Sequence, residues 1–154
     1  MIERKHIEEI VASYLNGSDV QLINLSVTSD NSILVELDSY KGVDLDFCAA
    51  LSRHLQEQLD SEGEDFDLEV GSVSITDPFR TKMQYEKHVG HEVEILTKDG
   101  LKLHGMLVNV EDDRFQADVE VFVQVEGKRK KEKQIQTLDF AYNDVKYCKY
   151  DLKV

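Results

Sequence analysis

Apolar positions along this chain follow two periods, a helical one mixed with alternation in the first half and alternation alone in the second. In "ERKHIEEIVASYL" (residues 3–15), Ile7, Ile10, Val11, Tyr14 and Leu15 recur at helical spacing, which predicts an amphipathic helix. Asn16-Gly17 supplies its stop. "VQLINLSVTS" then alternates, with Ile23, Leu25 and Val27 on one side; "SDNS" is a turn and "ILVELDS" a second alternating run. Together they predict an antiparallel hairpin. "KGVDLDFCAALSRHLQEQLD" (residues 41–60) returns to helical spacing, with Cys48, Leu51, Ser52, Leu55 and Leu59 as the buried stripe. Asp44 is placed to accept from the free N–H groups at its start, and Asp46 sits at the positive end of the helix dipole. "SEGED" breaks this helix, and "FDLEVGSVSI" predicts a third strand. Two helices on one face of a three-stranded sheet make a small N-terminal α/β domain.

"TDPFRT" (residues 76–81) reads as a joint, because Pro78 fixes φ and removes a backbone donor. "MQYEKHVG" predicts a short helical turn ending at Gly90. Five alternating runs follow: "EVEILTK", "LKLHGMLVNVED", "FQADVEVFVQV", "QIQTLDF" and "DVKYCKYDL". Five short strands with tight turns predict a small SH3-like or Sm-like β-barrel, whose closure would remove exposed edges. Its expected core is Val93, Ile95, Leu103, Leu107, Val121, Val123, Ile135 and Leu138. The fold class is therefore α+β, with domains over residues 1–79 and 80–154.

Charge sharpens that division. The 154 residues carry a formal net charge of −13. Residues 1–79 hold 4 Lys/Arg against 17 Asp/Glu, a balance of −13, whereas residues 80–154 hold 14 of each and balance to zero. An acidic half repels phosphate and attracts basic proteins. No apolar run approaches the roughly 18 residues of a membrane helix. "MIERKHIEEI" lacks the apolar stretch of a signal peptide, so a cytoplasmic location is expected. Cys48 and Cys148 are then expected to be reduced thiols.

The sequence offers no catalytic constellation: phosphate-cradling glycine motifs are absent, and Ser26, Ser52 and Ser72 have no motif that places a base beside them. His88 and His91 could share a helical face, but two histidines need a third ligand to hold a metal. The expectation is a non-enzyme without metal, cofactor or small-molecule substrate. What stands out is "EGKRKKEK" (residues 126–133), read as the loop between two strands. Lys128, Arg129, Lys130, Lys131 and Lys133 make five of the six residues 128–133 basic. Such a cluster can be a solvated hairpin loop that guards a sheet edge, or it can neutralise backbone phosphate. No aromatic residue is interleaved with it in sequence, so base stacking is not indicated.

"INLSV", "ILVELD", "GVDLDFCAALSRHLQEQLD", "LEVGSVSITDPFR" and "HVGHEVEIL" occur in an order that resembles the bacterial ribosome maturation factor RimP family. The likeness runs from about residue 5 to about 150, and "DLDFCAALSR" is its most specific segment. The chain departs from the family pattern at "SVSI" (residues 72–75), where Ser74 stands at a position the family gives to glycine, and "TDPFR" keeps the proline of the family's next stretch without its first arginine. The resemblance implies a two-domain, non-catalytic protein that binds the free small (30S) ribosomal subunit and assists its assembly. The partners it implies are a basic ribosomal protein for the acidic half and 16S rRNA for the basic cluster, with the chain acting as a monomer. The competing readings are a stand-alone Sm-like RNA-binding module and a protein–protein adaptor.

Overall fold

A computed structural model describes residues 2–124, 126–127 and 129–152. It divides into two compact units, Met1–Ser74 and Ile75–Val154.

In the first unit the order is α1 (Arg4–Leu15), β1 (Gln21–Val27), β2 (Ser32–Asp38), α2 (Leu45–Asp60) and β3 (Asp67–Ser72). β1 pairs antiparallel with β2, as the alternating runs and the "SDNS" turn predict, and β3 pairs parallel with β2 on its other side. The parallel partner follows from chain length: α2 provides the crossover that a parallel connection needs. The expected helix signals are in place. Asn16 is the C-cap of α1, followed by Gly17 at φ +84°. The Asp44 carboxylate accepts from the Phe47 N–H at 2.8 Å, with Asp46 in the first turn of α2. Ile7, Val11 and Leu15 of α1 and Cys48, Leu51, Leu55 and Leu59 of α2 share one core with Leu25, Ile33, Val35 and Leu37. One strand departs from the expectation. β1 bulges between Leu22 and Asn24, so Leu22, rather than Ile23, joins the residues packed against this core.

Asn31 is the only non-glycine residue with positive φ among those described (φ 61°). Its side-chain oxygen accepts from the Ile2 N–H at 3.0 Å, and its amide donates to the Asp65 carbonyl at 3.2 Å. Its backbone carbonyl accepts from the Asp67 N–H, so one turn residue ties the start of α1 to the start of β3. Asparagine is one of the few side chains that adopt this conformation at small cost.

The second unit begins with α3 (Lys82–Lys87), which a capping box between Thr81 and Gln84 initiates. β4 (Glu92–Thr97), β5 (Lys102–Val110), β6 (Arg114–Gln124), β7 (Lys131–Ala141) and β8 (Val145–Tyr150) follow, with a single 3-10 turn before β8. All neighbours pair antiparallel in one sheet of order β7-β6-β5-β4-β8. The five expected strands are present, but the pairing order is open, with β7 and β8 at its edges; no closed barrel is formed among the described residues.

The core of this unit is Val93, Ile95, Leu103, Leu107, Phe115, Ala117, Val119, Phe140, Val145 and Cys148, with Phe79 and Tyr85 from the segment leading in. The expectation holds for β4 and β5, holds in part at Val121 and Leu138, and fails at Ile135. Ile135 is 69% exposed, while Val121 and Leu138 are only partly buried against the core and Val123 is half-buried outside it. Strand parity explains the error. The inward residues of β6 are 115, 117 and 119, which pair with Phe140, Leu138 and Gln136; Ile135 pairs with Glu120 and therefore lies on the opposite face. At the β5–β6 crossing, a side chain on Gly105 would collide with the Asp118 carbonyl and sit 2.8 Å from the Val119 Cα, so only glycine lets these strands approach.

Both cysteines are free and buried. No helix is long and apolar enough to cross a membrane among the described residues.

Candidate nucleic-acid interface

The basic cluster was read as a loop over residues 126–133. The structure carries strand β7 into it: Lys131, Glu132 and Lys133 pair with Gln124, Val123 and Phe122. Pairing extends this far because β6 itself runs on past the core. Val121 is the last β6 residue packed against it, and three further residues carry the strand about 10 Å beyond. Of the five cations singled out, Lys131 and Lys133 occupy alternate strand positions on one face, and Arg129 and Lys130 lie in the bend before β7. Lys128 lies outside the described residues. Arg129, Lys130, Lys131 and Lys133 are exposed. Lys133 forms an ion pair with Glu120 at 3.0 Å, both side chains about half exposed. Such a pair contributes at most about 1 kcal/mol, so it can be exchanged for another anion.

The face that carries Lys131 and Lys133 is the one turned away from the core, and it can be followed residue by residue. Near the base, Gln116 donates to Asp139 at 2.6 Å and the Thr137 hydroxyl donates to Asp118. Next comes the pair of Lys133 with Glu120. Towards the tip the pattern changes to apolar. Phe122 is 67% exposed directly opposite Lys133, and Ile135 is its diagonal neighbour. The linear sequence shows no aromatic beside the cluster, yet the pairing register puts one there. The signal lies in the register, which sets Phe122 against Lys133 and Gln124 against Lys131.

Several polar groups elsewhere are engaged in structure. His88 donates through Nδ1 to the Gln84 carbonyl at 2.8 Å and stacks on Phe79 at 4.5 Å. His88 and His91 rings lie 5.6 Å apart, but no group of three His, Cys, Asp or Glu that could hold a metal ion occurs among the described residues. Burial raises the Tyr85 hydroxyl and Cys148 thiol well above their ordinary values, so both are neutral core groups. On the β4–β5–β8 surface, the Tyr147 hydroxyl donates to Glu94 at 2.6 Å, with Lys102, Lys149 and His104 around the same carboxylate at 3.6–4.0 Å. The Tyr147 hydrogen bond, followed by the neighbouring cations, holds Glu94 below the usual carboxylate range.

The family model of the RimP N-terminal domain matches residues 10–75. The ribosome maturation factor RimP of Porphyromonas gingivalis is 38% identical over 146 residues, covering 95% of this chain and 96% of that protein. Those of Flavobacterium psychrophilum and Christiangramia forsetii are 34% identical over 106 residues and 35% over 98, covering 69% and 64% of this chain and 66% and 56% of theirs. With near-complete coverage at that identity, the chain belongs to the RimP family of ribosome maturation factors.

Proposed function

We propose that this chain binds the free small (30S) ribosomal subunit during assembly, as a non-catalytic brace, with the basic end of the β6–β7 ribbon on 16S rRNA phosphate. The observation that carries the reading is the concentration of cations on a strand pair that runs past its own core, in a chain whose net charge is −13. Cations there can approach a phosphate backbone, and each neutralised phosphate releases counterions. Such contacts position a protein without reading sequence. Residues 1–79, as an acidic N-terminal domain, would face a basic ribosomal protein, and that attraction would weaken with salt. Residues 80–154 would form the SH3-like or Sm-like domain, for which the five antiparallel strands give the support. The chain would act in the cytoplasm as a monomer without a cofactor.

Sedimentation of cell extract on a sucrose gradient tests this. Co-migration with free small subunits is the expected result. Binding to short RNAs but not to subunits would favour a stand-alone RNA-binding module, and binding to neither an adaptor. On the subunit, Lys128, Arg129, Lys130, Lys131 and Lys133 are the phosphate contacts, of which about 2–3 reach one backbone together. Replacing all five by serine should flatten log K against log[salt] by about 1.5–2.5 units. An unchanged slope would leave the cluster as a solvated, edge-guarding turn.

A further inference from the structure

We propose that the outer face of the β6–β7 ribbon is a stacking platform for an unpaired RNA strand, with a base on Phe122 and flanking phosphates on Lys131 and Lys133. This rests on the phosphate reading above and adds to it a recognition of single-stranded form. Three features support it. Phe122 is the most exposed aromatic side chain of the chain at 67%, and it sits where the strand pair has left the core, so packing does not require a ring there. Ile135, 69% exposed on the same face, widens the apolar surface beside the ring. Lys133 lies directly opposite Phe122, and Lys131 two residues further on, about 7 Å along the strand. That interval is of the order of one nucleotide step in an extended strand.

An aromatic face bordered by cations is the combination that binds single strands with little sequence preference: the groove charge tracks the backbone and the ring takes any base. The acidic residues on this face lie away from the proposed contact. Asp118 is taken up by Thr137, Asp139 by Gln116 and Glu120 by Lys133, and all three carboxylates lie on the core side of the ring. They confine the strand to the distal end, where Arg129, Lys130 and Lys131 make no ion pair with a described residue. A protein occupant would use the apolar pair but would have to supply anions for Arg129, Lys130 and Lys131 together. An RNA strand presents both chemistries at every nucleotide.

The test uses the full chain and a labelled oligouridylate about a dozen nucleotides long, with a duplex of the same length as control. The chain contains no tryptophan, so Phe122→Trp creates a single reporter at the proposed contact. Its fluorescence should be quenched by the oligouridylate and not by the duplex. Phe122→Ala should weaken oligouridylate binding about 5- to 150-fold and leave the salt slope unchanged, while Phe122→Tyr should bind like the parent. Serine at Arg129, Lys130, Lys131 and Lys133 should instead flatten the slope. A flattened slope together with an inert Phe122→Ala overturns the stacking proposal and leaves the phosphate reading standing. If neither set of substitutions matters, both readings fall. Equal quenching by the duplex would replace stacking with groove contact. Loss of subunit binding in Phe122→Ala, from a parent that ignores the oligouridylate, would make the occupant a protein.

Discussion

Helix α2 and the β6–β7 ribbon are among the longest elements of their units, and they hold their charged residues under opposite constraints. Cys48, Leu51, Leu55 and Leu59 bury one stripe of α2 from its first turn to its last, so every charge on this helix rides on an element anchored along its length. The ribbon is anchored at one end only. Phe115, Ala117, Val119 and Phe140 belong to the core, while Phe122, Lys131, Lys133 and Ile135 contribute nothing to it. The acidic character of residues 1–74, with 4 Lys/Arg against 16 Asp/Glu, is therefore spread over a packed scaffold, whereas the cations of residues 128–133 are gathered where the fold makes no demand on them. Charge placed where packing is absent is charge available for binding.

Substitutions that separate anchored from unanchored positions can break this contrast. The largest effect is expected at Gly105: alanine there meets backbone rather than a movable side chain, and should cost about 3 kcal/mol or more. In an NMR spectrum the signals of residues 75–154 should collapse while those of residues 1–74 stay dispersed; joint loss of both sets would show that the two units fold as one. Leu55→Ala should cost about 2–5 kcal/mol by denaturant titration, against about 0.5 kcal/mol or less for Ile135→Ala. A costly Ile135→Ala would mean that the ribbon is held after all. Asp44→Ala removes the cap of α2 and should cost about 1 kcal/mol in the same assay.

The smallest effect concerns Glu94. Its carboxyl is held down by the Tyr147 hydroxyl, and then by Lys102, Lys149 and His104. A depressed acid stabilises the fold above its ordinary value of about 4.3 and loses that contribution as pH falls through the lower folded value. Melting temperatures measured across this range should therefore fall less steeply with acid in Glu94→Gln than in the parent. Parallel curves would remove Glu94 from the account.

Most of the first unit was legible because helical and alternating periods are unambiguous when one face is buried along the whole element, as in α1 and α2. Ile23 misled because a bulge shifts parity, and nothing in "VQLINLSVTS" marks it. The second unit was legible in strand number but not in register. Alternation fixes which residues share a face, yet apolar residues stand on both faces of the outer ribbon, Val121 and Val123 on one and Phe122 and Ile135 on the other, so "VFVQV" and "QIQ" carry no mark of which side the core lies on. The same ambiguity concealed Phe122. Five basic residues were visible as chemistry from the sequence alone, while the aromatic beside them is close only through pairing across the hairpin.

The ribbon also bears on the order in which the second unit assembles. β6 and β7 are consecutive, and pairing at their base, Phe115 with Phe140, closes a loop less than half as long as the one between β4 and β8. β4 must instead find β8 across most of the unit, with Val93 meeting Tyr150, and each doubling of the enclosed loop adds about 0.6 kcal/mol of closure entropy. The hairpin should form first, but its seed is the base, where Phe115 stacks on Phe140 at 5.2 Å, and not the charged tip. Truncating Phe140 should accordingly slow folding, and truncating Val145 in β8 should chiefly speed unfolding, as stopped-flow chevrons would show. The cations at the tip would then enter neither rate.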